Sequence, residues 1–367
     1  MRMKFKSAIL TISDYNNYGN RLQNYALEML LKQYGETTTI YSCINNASAE
    51  KTLIYFLKKM IKRIYSLAFS DDRSLKYVRN RKIREMSNRL IPDDSFIFSM
   101  KRGLIHKKKD IFDSLVIGSD QVWNYKWLSN QGLALRLGSF ALDNHPVISY
   151  AASFGVSEID NEEARAIFRK YLPKLKAISV REDRGAELVK EMTGLDAIVV
   201  LDPTLMLAAD KWLEITEDFV PDDEKYVLTY FLGCPTEKQE HDIQLYAKTY
   251  GCRVRRILDL RDKETYAAGP QDFVELFSKA QYVFTDSYHA CCFSILFHKQ
   301  FTVFNRSGMT GKASMNSRME TLFRLFGLDS VMMDSGFAPK IDYQKVDRLL
   351  ELHRKESQDW LDKAMKE

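Results

Sequence analysis

Short apolar segments alternate with helical segments along most of the chain, and this alternation constrains the fold more than any other feature. The clearest strand segments lie at 8–12, 114–117, 147–150, 177–180, 197–201, 226–231, 254–258, 281–285 and 301–304. Apolar residues at helical spacing predict helices at 184–192, 237–250, 271–280 and 289–297. Strands that alternate with helices in this way predict parallel sheets covered by helices on both faces, the α/β class.

The length of the chain predicts two such domains. A chain of 367 residues exceeds the size at which a single core usually stops growing. The alternation is interrupted at 202–223, so we expect an N-terminal Rossmann-like domain over 1–210 and a C-terminal one over 211–340. Two doubly wound domains would face each other across a cleft. The segment 341–367 is expected to form a helix that packs back on the first domain.

The positive charge is concentrated in one segment. Between Lys51 and Lys109 there are 17 lysines and arginines against 5 acidic residues, whereas the whole chain carries a formal charge of +5. We treat about 50–110 as a basic helical insertion in the first domain. The concentration indicates a local anionic partner and argues against general nucleic-acid binding.

The first part of this insertion has an amphipathic pattern. Apolar residues at helical spacing lie on one side of basic ones, which predicts a helix that could rest on an anionic membrane surface through residues 51–109. The run from Arg79 to Arg84 would extend the basic surface. A helix that packs its apolar side on the first domain is the alternative. The residues concerned are Leu53, Leu57, Met60, Ile61 and Ile64 on the apolar side and Lys58, Lys59, Lys62 and Arg63 on the basic side.

Several common signatures are absent from the sequence. It contains no dinucleotide-binding glycine motif, no complete phosphate-binding loop, no zinc or calcium spacing and no nucleophile elbow. We therefore expect neither a bound cofactor nor a metal ion. Five irregularly spaced cysteines, the lack of a signal-peptide pattern and the lack of a long apolar run favour a reduced, cytoplasmic protein.

A polar hinge between an apolar strand and an apolar helix is the strongest single indication of a site. Thr285 to His289 read Thr-Asp-Ser-Tyr-His at the predicted carboxyl end of a strand, where open α/β sheets bind ligands. Asp286 or Ser287 could cap the helix, whose N-terminus favours an anion. His289 would add a proton donor there. The alternative is a capped helix with a packed histidine.

Seven stretches, taken together and in order, resemble the polysaccharide pyruvyl transferase family. The resemblance spans most of the chain and implies the two-Rossmann-domain arrangement called GT-B. It also implies an activity that moves the enolpyruvyl carbons of phosphoenolpyruvate onto two sugar hydroxyls as a ketal and releases phosphate. The stretches are Asn17–Ala26, Val116–Asn124, Ser149–Gly155, Ser179–Asp183, Leu201–Pro203, Thr285–His289 and Asn316–Leu322.

The resemblance implies that the second domain binds the donor. Arg181 is interpreted as a clamp for the carboxylate or phosphate, because its planar fork suits either group. His289 is interpreted as the acid, or as a phosphate ligand that protonates the leaving group. Lys312 and Arg318 both qualify as a further cation. Ser287 stands where many family members carry an arginine, and Arg318 could replace that charge.

The first domain is expected to face the acceptor. Asn17, Gly19 and Asn20 form a polar loop suited to hydroxyl or phosphate contacts, although a turn with an asparagine cap gives the same pattern.

A second polar segment of the first domain follows a predicted strand. It contains Ser119, Asp120 and Gln121. Asp120 could deprotonate the attacking hydroxyl, and Trp123 could stack on a sugar. The alternatives are that Asp120 caps a helix and that Trp123 fills a core.

Three functions remain open at the level of the sequence. The first is transfer from phosphoenolpyruvate to a glycan or lipid-linked oligosaccharide, at the inner face of the plasma membrane if the basic segment binds lipid. The second is a GT-B glycosyltransferase that uses a nucleotide sugar, and the third is a non-catalytic glycan- or membrane-binding relative.

Overall fold

The computed structural model describes residues 5–40, 72–91, 93–94, 97–99, 103–105, 112–143, 145–221, 223–305 and 317–366. Two sequence predictions lie outside these residues. One is the amphipathic basic helix that begins near Lys51, and the other is the donor-site role of Lys312. Both remain predictions.

The first sheet contains seven strands in the described part of the chain, in the order β3-β2-β1-β6-β7-β8-β9. All of its strand pairs are parallel. The strands are β1 (Lys6–Leu10), β2 (Glu36–Ile40), β3 (Asp93–Asp94), β6 (Ser114–Asp120), β7 (Val147–Ala152), β8 (Ala177–Val180) and β9 (Ile198–Val199). A separate antiparallel pair is formed by β4 (Ile97–Ser99) and β5 (Gly103–Ile105).

The second sheet is also parallel, with the order β11-β10-β12-β13-β14 in the described residues. Two parallel α/β sheets confirm the predicted fold class. The strands are β10 (Tyr226–Tyr230), β11 (Arg253–Ile257), β12 (Tyr282–Thr285), β13 (Gln300–Phe304) and β14 (Met332–Met333).

Helices connect the strands and cover the sheets. Short 3-10 helices occur at Tyr125–Trp127, Leu172–Lys174 and Asp329–Val331. The α-helices are α1 (Tyr18–Leu31), α2 (Asp72–Leu90), α3 (Asn130–Arg136), α4 (Glu162–Tyr171), α5 (Asp183–Thr193), α6 (Pro203–Met206), α7 (Ala209–Leu213), α8 (Glu237–Tyr250), α9 (Lys263–Tyr266), α10 (Pro270–Lys279), α11 (Tyr288–Leu296), α12 (Ser317–Phe326) and α13 (Tyr343–Lys366).

Helix α8 shows how local sequence sets element boundaries. Thr236 and Gln239 form a reciprocal capping box at its start, which satisfies two backbone groups that the helix leaves free. Gly251 ends the helix at φ 63°, a left-handed conformation that glycine adopts without a steric penalty. The structure gives this helix the bounds that the sequence predicts.

The start of α1 is buried against the elements of the second sheet. The Tyr18 ring stacks on Phe273 with centroids 5.1 Å apart, and its hydroxyl donates to the Ala268 carbonyl at 2.8 Å. Tyr18 and Leu22 belong to the same hydrophobic cluster as residues of β10, α10 and α11. This packing fixes the loop between β1 and α1 beside the second sheet.

Helix α2 carries part of the basic segment, and two of its basic side chains contact other parts of the chain. Arg79 is buried with its guanidinium 4.8 Å from the Tyr266 ring centre, and Lys82 lies 2.7 Å from an Asp272 oxygen. The prediction that residues 79–84 extend a free basic surface is therefore wrong for these two positions. Arg79 contacts an aromatic ring and Lys82 pairs with a carboxylate of the same chain.

The last helix, α13, packs beside the first sheet. Leu361 is fully buried in a cluster with Ile9 and Leu27, and the Ser357 hydroxyl accepts the Leu201 N–H at 3.0 Å. The Tyr34 hydroxyl donates to Asp362. In the described residues, every helix is too short or too polar to cross a membrane.

Candidate active site

A cavity of about 160 Å³ lies between the two sheets. The loops that follow β1, β6, β10 and β12 line it, so both sheets contribute the carboxyl ends of their strands. In each sheet two of these strands are neighbours, β1 with β6 and β10 with β12. From one strand of each pair the chain continues toward one side of the sheet, and from the other strand it continues toward the opposite side. Parallel α/β sheets bind ligands at such switch points.

The hinge before α11 is held by backbone and side-chain hydrogen bonds. The Thr285 hydroxyl accepts the Ser287 N–H at 3.0 Å, and the Asp286 carboxylate accepts the N–H groups of Leu232 and Gly233 at 2.6 and 2.8 Å. Ser287 occupies the N-cap position without a side-chain capping bond. The expectation that Ser287 caps the helix through its hydroxyl is therefore wrong. Asp286 and Ser287 both line the cavity.

His289 lies in the first turn of α11 and lines the cavity. The side chain is 9% exposed, its Nε2 has no hydrogen-bond partner among the described residues, and the nearest Asp202 oxygen is 3.8 Å away. Burial lowers the pKa of His289 below its ordinary value, and this outweighs the opposite effect of the Asp202 and Asp120 charges. The free imidazole is therefore mainly neutral at neutral pH, and a bound anion would favour its protonation.

Gly19 explains how the imidazole fits against α1. A Cβ atom at this position would lie 2.1 Å from His289 Nδ1, far inside van der Waals contact. Glycine is therefore required for the close approach of α1 to the histidine, which gives Gly19 a packing role beside the cavity instead of a direct acceptor contact.

Arg181 is buried beneath the cavity and does not line it. Its Nη1 lies 2.6 Å from Asp202 and its Nη2 3.3 Å from Asp120, while the guanidinium stacks over the Tyr288 ring at 4.4 Å. The side chain is fully buried. The structure therefore does not place Arg181 as a direct clamp, because the two carboxylates take up its terminal nitrogens. Its geometry is that of a positioning residue.

Asp120 is held as an ion-pair partner. It accepts from Asn20 Nδ2 at 3.0 Å. Burial alone would raise the pKa of Asp120, but the Arg181 guanidinium and the neighbouring His289 outweigh burial and lower the pKa to about 2. Because its Oδ2 accepts from Asn20 and its Oδ1 pairs with Arg181, this carboxylate is poorly placed to deprotonate a substrate hydroxyl, contrary to the sequence interpretation.

Arg318, at the start of α12, is the described cation that lines the cavity. Among the described residues no carboxylate lies within ion-pair distance of its guanidinium, and its Nε has no hydrogen-bond partner. The Gln121 amide, turned with its oxygen toward Arg318, accepts from the two terminal nitrogens at 2.9 and 3.2 Å. Burial and the neighbouring Arg181 charge lower the pKa of Arg318 to about 10, so it stays charged at neutral pH.

Two further buried carboxylates, Asp202 and Glu182, belong to this cluster, and both lie in stretches that carry the resemblance. Asp202 caps α6 through Thr204 N at 3.0 Å and pairs with Arg181. Glu182 accepts the Ser153 hydroxyl at 2.8 Å, and burial raises its pKa above the ordinary value. Together with Asp120 they place negative charge around Arg181.

Asn17 and Asn20 line the cavity and also organise the loop before α1. The Asn17 side chain accepts the Asn20 N–H at 3.2 Å as the helix cap. Asn20 Oδ1 accepts the Asp14 N–H at 2.8 Å. The turn with an asparagine cap is therefore present, and both side chains also reach the cavity wall.

Ser119 and Trp123 lie away from the cavity wall. The Ser119 hydroxyl donates to Gln23 Oε1 at 2.8 Å. Trp123 is fully buried in the core of the first sheet and donates from Nε1 to the Arg136 carbonyl at 3.1 Å. The prediction that Trp123 stacks on a sugar is wrong, because its ring is enclosed by protein. Trp127 lines the cavity instead and is 61% exposed.

No group of three or more histidine, cysteine or carboxylate side chains is arranged to hold a metal ion in the part of the chain that the structure describes. The absence of a metal requirement stays a prediction.

Two Rossmann-like units that meet at a ligand-sized cavity give the chain the GT-B-like arrangement predicted from the sequence. Residues 17–308 match the family described as polysaccharide pyruvyl transferase. This match covers most of the chain, and the chain therefore belongs to the polysaccharide pyruvyl transferase family.

Solved structures with similar folds are distant in sequence. UDP-N-acetylglucosamine 2-epimerase from Rickettsia bellii is 8% identical, with a TM-score of 0.46 over 99% of this chain and 97% of that one. UDP-GlcNAc 2-epimerase from Neisseria meningitidis, bound to UDP-GlcNAc, is 11% identical, with a TM-score of 0.42 over 96% and 100%. The Methanocaldococcus jannaschii enzyme in complex with UDP-GlcNAc and UDP is 12% identical, with a TM-score of 0.44 over 95% and 98%.

The chain matches no curated protein.

Proposed function

We propose that this protein transfers the pyruvyl group of phosphoenolpyruvate to two hydroxyls of a sugar in a polysaccharide or lipid-linked oligosaccharide precursor and releases phosphate. The observation that carries the proposal is the pairing of His289 and Arg318 in the wall of one cavity. Both are buried, and His289 Nε2 and Arg318 Nε lack partners among the described residues. A histidine that can be protonated and a charged arginine in the wall of one cavity favour an anionic ligand, which can accept hydrogen bonds from both.

The size of the cavity supports a small donor. Its volume of about 160 Å³ is below the roughly 300–1,000 Å³ of pockets that enclose drug-sized ligands. A three-carbon phosphate is small enough for this space. Phosphoenolpyruvate also carries two anionic groups, a phosphate and a carboxylate, which the Arg318 guanidinium and the N-terminus of α11 can bind.

The chemistry needs one acid and two nucleophilic hydroxyls. Protonated His289 gives its proton to C3 of phosphoenolpyruvate, and the C2=C3 electron pair forms the new C3–H bond. A sugar hydroxyl then bonds to C2 as its O–H bond breaks and its proton passes to a base. The C2–O bond to phosphate breaks with its electron pair on the phosphate, and the second hydroxyl closes the ketal ring and gives its proton to the released phosphate.

Arg181 has a supporting role in this proposal. By holding Asp120 and Asp202 on its terminal nitrogens it fixes the carboxylates that lie near His289. Their negative charge also opposes the effect of burial on the pKa of the imidazole, and a bound phosphate would raise that pKa in the same direction as the carboxylates do.

Isothermal titration calorimetry tests the donor. We expect phosphoenolpyruvate to bind and Arg318→Ala to weaken binding by about 10-fold to 150-fold, since a hydrogen bond to a charged group contributes about 1.5–3 kcal/mol. Arg324→Ala, which removes an exposed arginine of the same helix, serves as the matched control and should bind normally. Binding of UDP-N-acetylglucosamine in place of phosphoenolpyruvate, or equal binding by Arg318→Ala, would contradict the proposal.

Donor binding should be accompanied by proton uptake. The pKa of His289 is lowered by burial in the free protein and is raised when an anion binds beside it. Between the free and bound pKa values, binding takes up a proton, so affinity falls as the pH rises through this window.

Calorimetry in buffers of different ionisation enthalpy measures this proton directly. We expect net uptake near neutral pH in the wild type and almost none in His289→Gln, which retains side-chain polarity without the titration. Equal proton uptake by the two proteins would show that another group takes up the proton.

A further inference from the structure

An uncovered aromatic side chain forms part of the wall that contains His289. Trp127 follows β6 in a short 3-10 helix, is 61% exposed and lines the cavity. Leu232, which follows β10, is 46% exposed and lines the same cavity. A large indole surface and an aliphatic side chain that remain open to solvent suit a ligand with an apolar face.

The carboxylates in the wall differ in what they can still bind. Among the described lining residues these are Asp14, Asp120 and Asp286. Asp120 pairs with Arg181, and both oxygens of Asp286 accept backbone N–H groups. Asp14 uses only Oδ1, which accepts two hydrogen bonds from Asn16. In the part of the chain that the structure describes, its Oδ2 has no hydrogen-bond partner and no cation within ion-pair distance.

We propose that Trp127 and Asp14 form the acceptor subsite, which takes a pyranose ring. The ring packs its C–H face on the Trp127 indole, and Asp14 accepts the proton of the sugar hydroxyl that attacks the donor. This inference rests on the proposed function, since it supplies the acceptor side of the same cavity. A pyranose is the matching chemistry because it has an apolar face and a polar edge of hydroxyls.

The position of Asp14 relative to the donor side supports this role. Its backbone N–H donates to Asn20 at 2.8 Å, and Asn20 in turn donates to Asp120 at 3.0 Å. The loop that carries Asp14 is therefore fixed to the cluster around Arg181. A ligand hydroxyl at Asp14 and a donor at His289 share one small cavity, as group transfer between them requires.

The proton balance of the first addition is complete with these residues. As the sugar oxygen bonds to C2, its O–H bond breaks and the proton moves to Asp14 Oδ2. At the same time C3 gains the proton of His289. Asp14 then returns its proton to solvent, from which His289 is protonated again, so that neither residue is consumed.

Sugar binding tests the subsite without requiring turnover. Methyl β-D-galactopyranoside, methyl β-D-glucopyranoside and methyl β-D-mannopyranoside would be titrated in the presence of phosphoenolpyruvate and followed by saturation-transfer NMR. At least one should bind to the wild type and about threefold to tenfold more weakly to Trp127→Ala, the range expected for loss of an aromatic contact. Tyr250→Ala is the matched control, since Tyr250 is also 61% exposed and lies outside the cavity.

The outcomes separate this inference from the proposed function. If none of the three sugars binds, or if Trp127→Ala binds as the wild type does, the acceptor subsite is wrong even where phosphoenolpyruvate still binds. If phosphoenolpyruvate itself does not bind, the proposed function fails first.

Asp14→Asn tests the base, because the amide retains the Asn16 contacts but cannot accept a proton. We expect it to bind phosphoenolpyruvate and the sugar normally and to release phosphate at least about 100-fold more slowly, as expected for loss of a general base. Asp329→Asn, which changes an exposed carboxylate that does not line the cavity, is the control. Phosphate release by Asp14→Asn at the wild-type rate overturns the assignment, as does a wild type that binds a sugar without releasing phosphate.

Discussion

Replacement of Arg181 by alanine is expected to lower the free energy of unfolding by about 3–5 kcal/mol, the cost of breaking a buried ion pair from one side. Asp202 is fully buried and lies 2.6 Å from Arg181, and Asp120 is 10% exposed and lies 3.3 Å from it. Without the guanidinium two buried carboxylates would face each other uncompensated. Burial then favours their protonated forms or unfolding.

Urea denaturation of the pure protein measures this loss. Arg324→Ala is the control, because Arg324 and its partner Asp183 are largely exposed and 2.8 Å apart, and such pairs contribute about 0–1 kcal/mol. The double variant Arg181→Met with Asp202→Asn should regain part of the stability, since it removes charge from both sides. A loss below about 1 kcal/mol in Arg181→Ala would show that the carboxylates do not depend on this arginine.

Replacement of His289 by glutamine is expected to slow phosphate release from phosphoenolpyruvate by about 100-fold to 10,000-fold, the usual contribution of a general acid. Glutamine can donate a hydrogen bond to the donor phosphate but cannot give a proton to C3. Folding should be retained, since the His289 Nε2 makes no hydrogen bond that glutamine would have to replace.

Steady-state kinetics with phosphoenolpyruvate and a bound sugar acceptor separates the two possible roles of His289. If kcat falls and the KM for phosphoenolpyruvate changes little, the histidine acts as the acid. If only the KM rises, it is a phosphate ligand, and the assignment of the proton donor is wrong.

The sequence predicts the site most accurately where a strand end and a helix start coincide. The local sequence indicates where the hinge from Thr285 to His289 lies, because a polar segment between an apolar strand and an apolar helix is expected at the carboxyl end of the strand. The structure accordingly brings His289 and Ser287 into the cavity between the sheets. The sequence predicts a further cation at Arg318 or Lys312 without distinguishing them, and of these two the structure describes only Arg318, which lines the cavity.

The errors arise where tertiary packing decides the role of a side chain. Trp123 and Trp127 are four residues apart in the same loop region, and only the fold determines that the first is enclosed and the second exposed. The interpretation of Arg181 as a ligand clamp rests on the resemblance and on its planar guanidinium, whereas its pairing with Asp202, 21 residues further along the chain, depends on the fold. The two-residue strand β14 is too short to give a reliable alternating pattern.

Transfer of isotope from phosphoenolpyruvate to a glycan tests the central claim most directly. Phosphoenolpyruvate labelled with ¹³C at C2 and C3 would be incubated with the protein and a glycan-lipid extract, and the products followed by NMR and mass spectrometry. We predict a labelled pyruvate ketal, formed with one phosphate released per ketal, and almost none with His289→Gln. The account would be contradicted if the label stayed in phosphoenolpyruvate although the protein is folded. Transfer from a nucleotide sugar alone would also contradict it.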